Sequence, residues 1–343
     1  MNLIVGYQTR PDDRLVRAIV AHRDAIGEVY FAWPGIANGR NTVSLREGMT
    51  EWEQLDRQIA DLEALSTAGL RFNLLLNGNC YGQSSLSRAF YTKIGDLVDW
   101  LGTRFGLDSV TTASPVVARF IKGNFPNIEV RASVNMEIGT REGVEYLADE
   151  MDGFYVKREM NRRIGEVRGF ADFCHRLGKK VYLLANSGCL NHCSCRTFHD
   201  NLVSHEAELM QMDNAFAFEG QCRTFLSKGD ARRRIIQLSN WILPRDLKRY
   251  EGIVDGVKLA SRVSAHPELI VHAYATGRFS GNLLQLTEPD FSGLYRPAVL
   301  SATRMPEDFF EVTSTCARDC DACGYCLRAF DGALETLPEN VLI

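Results

Sequence analysis

Short apolar runs alternate with longer amphipathic stretches along most of this chain, and that alternation leaves few folds open to it. The pattern is typical of βα units, which assemble into parallel sheets. Eight runs are predicted to be strands: 3–7, 28–33, 72–76, 109–112, 129–134, 153–156, 180–185 and 256–259. Eight units within about 260 residues match the size of a (β/α)8 barrel. We therefore predict an α/β chain with a TIM-barrel-like fold.

Helical patterns occupy the stretches between the strands, and four of them are predicted as helices: 51–68, 91–105, 168–177 and 201–212. In the last, Asp200 or Asn201 would act as the N-cap. An open doubly wound sheet is the alternative fold. The first strand is not followed by G-x-G-x-x-G, which weakens the dinucleotide-binding form of that alternative.

The alternation stops near residue 305, where a cysteine-rich stretch begins. We predict a TIM-barrel-like domain with a central cysteine insertion over 1–304, a cysteine-rich metal-binding appendage over 305–331, and a loosely held tail over 332–343. The appendage is too short for a core of its own, so we expect it to fold around metal.

The C-terminal cysteines are Cys316, Cys320, Cys323 and Cys326, and the last three have the C-x2-C-x2-C spacing that holds iron–sulfur clusters in ferredoxins. Four-thiolate zinc is the alternative, because C-x2-C pairs also suit tetrahedral zinc. The N-terminus does not read as a secretory signal, so we expect reduced thiols in the cytoplasm and metal rather than disulfides.

A second cysteine group lies mid-chain and consists of Cys189, Cys193, Cys195 and Cys222. Cys189 closely follows the seventh predicted strand, so its loop should open at the end of the barrel that carries active sites. Two arrangements remain open. Each group binds its own cluster, or one cluster takes ligands from both groups.

Polar residues follow most predicted strands, as an active-site rim for a polar anion would require. Arginine can bind a carboxylate through two parallel hydrogen bonds, and histidine can transfer protons. The candidates for catalysis are Arg262, His199, Arg158 and Glu137, and those for substrate binding are Asn135, Lys258 and Arg245. Each of these side chains could equally be a structural ion-pair partner or a cap.

Several segments together resemble the collagenase-like U32 peptidase family. They are ASVNMEIGT, the Lys157–Glu159 run, LLANSGCLNHCSCRTFHDNLVSHE, NWILPRDLKRYEG, VDGVKLASR and the C-terminal cysteine run, and the likeness spans roughly 1–327. The resemblance implies a TIM-barrel-like fold with a [4Fe-4S] cluster. It further implies relatives that hydroxylate without O2, with prephenate as the oxygen donor, and that can pair with a second family member.

The predicted function is O2-independent hydroxylation or oxygen transfer on a small-molecule or peptidic substrate. The alternatives are a protease of the same family and a non-catalytic iron–sulfur accessory subunit. The chain contains neither H-E-x-x-H nor G-x-S-x-G, and no histidine stands beside the isolated thiol of Cys80 in the sequence. A net charge of −4 argues against nucleic acid as a partner, and no apolar run is long enough for a membrane span.

Overall fold

Eight parallel strands close into a barrel in which each strand pairs with its neighbours in chain order. The structure is a computed structural model that describes residues 2–39 and 49–337. The strands are β1 Leu3–Gly6, β2 Ile26–Phe31, β3 Arg71–Leu76, β4 Leu107–Thr112, β5 Glu129–Ala132, β6 Gly153–Tyr155, β7 Lys180–Leu184 and β8 Gly256–Leu259. Strand β1 pairs with both β2 and β8, which excludes an open sheet and confirms the predicted barrel.

Helices surround the barrel and cover the outward side of its strands. They are α1 Arg14–Ala21, α2 Glu51–Thr67, α3 Arg88–Phe105, α4 Pro115–Asn124, α5 Arg141–Glu145, α6 Ile164–Arg176, α7 Arg196–Ser204, α8 Glu206–Leu209, α9 Gln221–Leu226, α10 Ile235–Leu238, α11 Pro267–Thr276, α12 Phe309–Ser314, α13 Cys320–Cys323 and α14 Tyr325–Ala333. The predicted helices at 51–68, 91–105 and 168–177 are confirmed by α2, α3 and α6. Within the described residues, no helix is both long and apolar enough to cross a bilayer.

The helix predicted at 201–212 is wrong. Helix α7 begins earlier, with Cys195 at its N-cap position, and the chain breaks at His205 before α8. Asp200, predicted as a cap, lies inside α7 and is buried. Its carbonyl accepts a hydrogen bond from the Ser204 hydroxyl, so these polar residues are held within the helix rather than starting one.

The barrel interior is unusually polar, because alternate residues of each strand point inward. Apolar inward side chains such as Ile4 and Leu75 share this space with tyrosines and ionisable groups. Buried polar residues of the strands include Glu28, Asn73, Ser109, Thr111, Arg131 and Lys258. The parallel register sets Ile4 beside both Glu28 and Lys258, which brings charge to the barrel axis.

An ion pair joins two non-adjacent strands across this interior. The guanidinium of Arg131 on β5 donates to both carboxylate oxygens of Glu28 on β2, at 2.6 and 2.8 Å, and both side chains are buried. Arg131 also donates to Glu129 and lies 4.2 Å from the Tyr182 ring centroid. Burial alone would raise the pKa of Glu129, but the hydrogen bond and charge of Arg131 lower it to about 2.

The C-terminal cysteine segment packs directly on the barrel domain. Phe330 and Ala333 of α14 are buried in the same core, and Asp331 forms an ion pair with Arg233. The predicted tail begins within α14 and continues into β10 Leu334–Thr336, which pairs antiparallel with β9 Ala298–Leu300. Residues 332–337 are therefore ordered by a two-stranded sheet, while 338–343 lie outside the described residues.

Replacing Glu28 with Gln should strongly destabilise the protein, because it leaves the Arg131 charge buried without its main partner. We expect a loss of about 3–5 kcal/mol in the free energy of unfolding. Glu63→Gln is the control, since it removes an exposed ion pair with Arg104 worth about 0–1 kcal/mol. Urea denaturation of both variants measures the difference, and equal losses would contradict a structural role for the interior pair.

Candidate functional site

A cavity of about 510 Å³ opens at the C-terminal ends of the strands, where the loop after β7 meets α7 and α9. We call it the cysteine cavity. Its lining consists of Arg158, Cys189, Leu190, Cys193, Arg196, His199, Asp200, Val203, Glu219, Gly220, Cys222, Arg223, Val263, Glu288, Pro289 and Phe291. Three cysteines of the central group and two of the predicted catalytic residues, Arg158 and His199, thus face one space.

The loop that carries Cys189 is fixed by hydrogen bonds to the chain beyond β8. The side chain of Asn186, fully buried, donates to the carbonyls of Ala260 and Leu286 at 2.8 and 2.7 Å, and it accepts from the Ala260 amide. A Cβ on Gly188 would lie 2.7 Å from the carbonyl oxygen of Pro289, so this close approach requires glycine. Both contacts hold the cysteine loop over the barrel mouth.

Cys189, Cys193 and Cys222 form a group of neighbouring thiols. Burial raises the pKa of Cys222, and the negative charges of Cys189 and then Cys193 raise it further. Cys195, predicted with this group, is not in the cavity lining and instead occupies the N-cap position of α7. The structure therefore brings three of the four central cysteines together at the cavity.

One carboxylate holds two arginines in place at the cavity. Glu137 Oε1 accepts from Arg158 at 2.5 Å and from Arg196 at 2.6 Å. Arg158 also donates to the Asn135 side chain at 2.7 Å, so three predicted site residues, Asn135, Glu137 and Arg158, meet here. Glu137 adopts a left-handed backbone conformation with φ 54°, a strained geometry that is common at functional sites.

Arg196 was missed by sequence reasoning. The available signal was its position directly after Cys195, in the same loop as the central cysteines. Its guanidinium also donates to the Leu190 carbonyl at 3.1 Å and lies 3.6 Å from Glu159. Arg158 Nε, in contrast, is buried and has no hydrogen-bond partner among the described residues.

Lys258 and Arg262 lie at the barrel axis rather than in the cavity lining. The Lys258 ammonium is 3.9 Å from the Tyr30 ring centroid and 5.2 Å from that of Tyr155. Burial, and then the positive charge of Arg262, lower the pKa of Lys258 to about 7. Arg262 donates to Asn38 at 3.1 Å, so both predicted residues face the mouth of the barrel from β8.

Arg245 is not brought to this region. Its guanidinium donates to the backbone carbonyls of Met305 and Pro306, at the start of the C-terminal segment. These contacts anchor that segment to the barrel. The structure therefore separates Arg245 from the other residues that were predicted to bind substrate.

The four C-terminal cysteines form a second group. Burial raises the pKa of Cys326; Arg162 lowers it, while the charges of Cys316, Cys320 and Cys323 raise it again. Arg162 is buried between the rings of Trp241 and Phe309, at 5.1 and 4.9 Å from their centroids. Burial lowers the pKa of Arg162 to about 10, and Cys326 provides the strongest opposing effect.

The fit of these thiols to a metal centre is partial. All ten cysteines lie within the described residues, and none of them is in a disulfide. Within the described residues, no three Cys, His, Asp or Glu side chains are arranged to hold a metal ion, so the predicted metal-binding appendage is not confirmed. The donor chemistry nevertheless suits iron, and the buried Nη2 of Arg162 has no hydrogen-bond partner among the described residues. An anionic thiolate cluster beside Cys326 would supply the negative charge that this guanidinium lacks.

A short chain of polar contacts links the two cysteine groups. Arg318, with φ 62°, donates to the Glu159 carbonyl and lies 3.4 Å from Nε2 of His192. The Glu159 carboxylate in turn accepts from the His192 amide at 3.1 Å. Residues of the C-terminal segment therefore contact the loop that carries Cys189 and Cys193.

Two known proteins resemble this chain over most of its length. The "Uncharacterized protease MJ1657" of Methanocaldococcus jannaschii is 24% identical over 321 residues, covering 90% of this chain and 89% of the relative. The solved structure of the U32 peptidase Mk0906 superimposes with a TM-score of 0.51 at 15% identity, covering 75% of this chain and 91% of that one. No family model matches the chain. The structural match shows the same fold, and the two together support the resemblance to U32 peptidases.

Replacing Lys258 with Met should stabilise the protein, most strongly at low pH. Between about pH 7 and 10.5 the unfolded chain binds a proton at Lys258 that the folded chain does not. The loss in free energy of unfolding caused by burying this lysine therefore becomes smaller as pH rises. We expect a gain of roughly 4 kcal/mol at pH 7 and much less at about pH 9.5. Urea denaturation at both values measures it, with exposed Lys248→Met as the control. A gain that does not change with pH would contradict the depressed pKa.

Proposed function

We propose that this chain is an enzyme of the U32 peptidase-like family that binds iron–sulfur clusters and acts on an anionic substrate at the barrel mouth. The observation that carries the proposal is the cysteine cavity, in which Cys189, Cys193 and Cys222 face the arginines held by Glu137. This cavity lies at the C-terminal ends of the strands, where barrel enzymes carry their active sites.

The grouping of thiols favours two clusters over one that is shared. Cys316, Cys320, Cys323 and Cys326 would hold one cluster with four thiolates. Cys189, Cys193 and Cys222 would hold a second, with one position left for substrate in the cavity. A bound cluster of that kind supplies Lewis acidity or a single electron. Arg196 lies near Cys189, whose negative charge raises the pKa of the guanidinium against the effect of burial.

The protein's own side chains would bind and orient the substrate. Arg158 and Arg196, fixed by Glu137, are placed to bind a carboxylate. Lys258, with a pKa of about 7, can hold or release a proton at neutral pH. Unlike Lys258, His199 lines the cysteine cavity itself, and it is a second candidate for proton transfer.

The reaction that we propose is O2-independent hydroxylation of a small-molecule or peptidic substrate. Prephenate, the oxygen donor implied by the family resemblance, carries two carboxylates. A cavity with three arginines suits such a compound better than a neutral one.

Peptide hydrolysis is the second candidate function. Both similar proteins carry protease or peptidase names, and within this chain the loop of Cys80 packs against the imidazole of His205, which lowers the pKa of the thiol. Imidazole beside a thiol is the arrangement that activates cysteine as a nucleophile.

Anaerobic preparation should yield a brown protein with about eight irons and as many sulfides per chain, or about four if a single cluster forms. Cys326→Ser is expected to remove the cluster of the C-terminal group, and Cys189→Ser that of the central group, because each loses a ligand. Iron and sulfide analysis with visible absorbance measures both. Cys80→Ser, another partly buried loop thiol, is the control and should retain all iron. A colourless, iron-free wild-type protein would refute the cofactor proposal.

Replacing Arg158 with Gln should weaken binding of prephenate without loss of iron. Removing a charge-assisted hydrogen bond costs roughly 1.5–3 kcal/mol, so the Kd is expected to rise at least about tenfold. Titration calorimetry under anaerobic conditions measures it, with exposed Arg168→Gln as the control. Equal affinity in both variants would rule out Arg158 as a carboxylate ligand.

A further inference from the structure

We infer that Cys80, His205 and Glu208 form a second reactive site, at which Cys80 is the nucleophile for hydrolysis of an ester or peptide bond; this inference rests on the second candidate function and assigns its residues. Cys80 lies in the loop after β3, and His205 joins α7 to α8, which contains Glu208. Barrel closure brings these distant segments together at the same end of the barrel as the cysteine cavity. Cys80 is not among the described residues that line that cavity.

The three side chains form a connected series. His205 Nδ1 lies 2.9 Å from Glu208 Oε2. The Gly82 amide donates to the Cys80 sulfur, and a Cβ on Gly82 would lie 3.4 Å from Cε1 of the same imidazole, so the thiol and the ring are neighbours. With Nδ1 engaged by Glu208, Nε2 is the ring nitrogen left to exchange a proton with the thiol. The order nucleophile, imidazole, orienting acid is the one that nucleophilic hydrolases use.

The loop of Cys80 is docked firmly against the junction of α7 and α8. The Asn79 amide donates to the Ser204 hydroxyl at 2.9 Å, directly before His205. The Gly82 amide donates to the Cys80 sulfur at 3.3 Å. Gly82 has φ 56°, and a Cβ there would lie 3.4 Å from Cε1 of His205, so the turn stays open and close to the imidazole. The thiol is therefore positioned by backbone contacts on both sides.

The electrostatics favour the reactive ion pair. The hydrogen bond to His205, and then that from the Gly82 amide, lower the pKa of Cys80. The hydrogen bonds with Cys80 and then Glu208 raise the pKa of His205. Both shifts stabilise a thiolate beside an imidazolium, and the thiolate is the nucleophilic form of cysteine. Cys80 is only partly buried, so a substrate in solvent can reach it.

Water is the only reactant that this hydrolysis needs besides the ester or peptide substrate. The thiolate attacks the carbonyl carbon and forms a carbon–sulfur bond, and the imidazolium gives its proton to the departing alcohol or amine. Water then attacks the thioester, with the imidazole taking its proton. The acid is released, and the thiolate–imidazolium pair is restored.

The surface beyond α8 indicates the kind of acyl group. Met210, Met212 and Phe216 follow Glu208 along the chain and are largely exposed. Exposed apolar side chains on the segment that follows Glu208 favour a substrate with apolar groups over the carboxylate-rich compound proposed for the cysteine cavity. The two sites would therefore take different substrates.

The test uses p-nitrophenyl acetate with the full-length, anaerobically prepared protein. We expect release of p-nitrophenol, continued turnover, and an acetyl group on Cys80 that mass spectrometry locates after rapid quenching. Cys80→Ser should abolish that acetylation. His205→Gln should raise the pKa of Cys80 and so slow acetylation at least roughly tenfold at pH 7. The thiolate fraction falls about tenfold for each unit by which the thiol pKa rises. Glu208→Gln should slow acetylation less, because Glu208 only orients the ring.

Asp213→Asn, an exposed change in the segment after α8, is the matched control and should keep the wild-type rate. An unchanged rate in His205→Gln would overturn the inference, as would acetylation of Cys80 no faster than that of free glutathione, or acetylation without turnover. Iron analysis of Cys80→Ser separates this outcome from that of the proposed function. Full iron with no acetylation in Cys80→Ser shows that the thiol site is separate from the clusters. Loss of iron in this variant would overturn the inference, because Cys80 would then serve as a cluster ligand.

Discussion

The Glu28–Arg131 ion pair is the interaction around which the rest of the barrel is arranged. It joins β2 to β5 across the interior, so it fixes the separation of two walls that share no backbone hydrogen bonds. A charge pair in such a place is stable only when its geometry is complete, and Glu129 and the Tyr182 ring complete it. The same two charges act on Lys258 nearer the mouth. The polarity of the interior therefore extends from the middle of the barrel to its open end.

At the mouth, one feature recurs, which is that a single side chain holds more than one group. Glu137 holds Arg158 and Arg196, and Asn186 ties β7 to the chain after β8. Side chains fixed in this way lose little conformational freedom when a ligand arrives. A rigid rim of cations beside three thiols can orient a substrate without rearrangement.

The strands and the cysteine loops could be predicted from sequence because their signals are local. Alternation of apolar runs marks the strands, and short spacing marks the thiol groups. The partners at the site could not, because the pairing of Glu137 with Arg196 and of Cys80 with His205 depends on barrel closure between distant segments. The start of α7 was misplaced for a related reason. Aspartate is a residue type that commonly caps helices, but tertiary packing buries Asp200 within α7.

Arg318 links the C-terminal cysteine segment to the loop that carries Cys189 and Cys193. It belongs to the C-terminal segment, yet it holds the carbonyl of Glu159 and lies against His192 in the central loop. Disturbing the C-terminal segment would therefore release the wall that shapes the cavity, even though no cavity residue is touched. As a result, the cysteine cavity takes its final form only when the far end of the polypeptide is in place, so the order of the two cysteine groups is coupled.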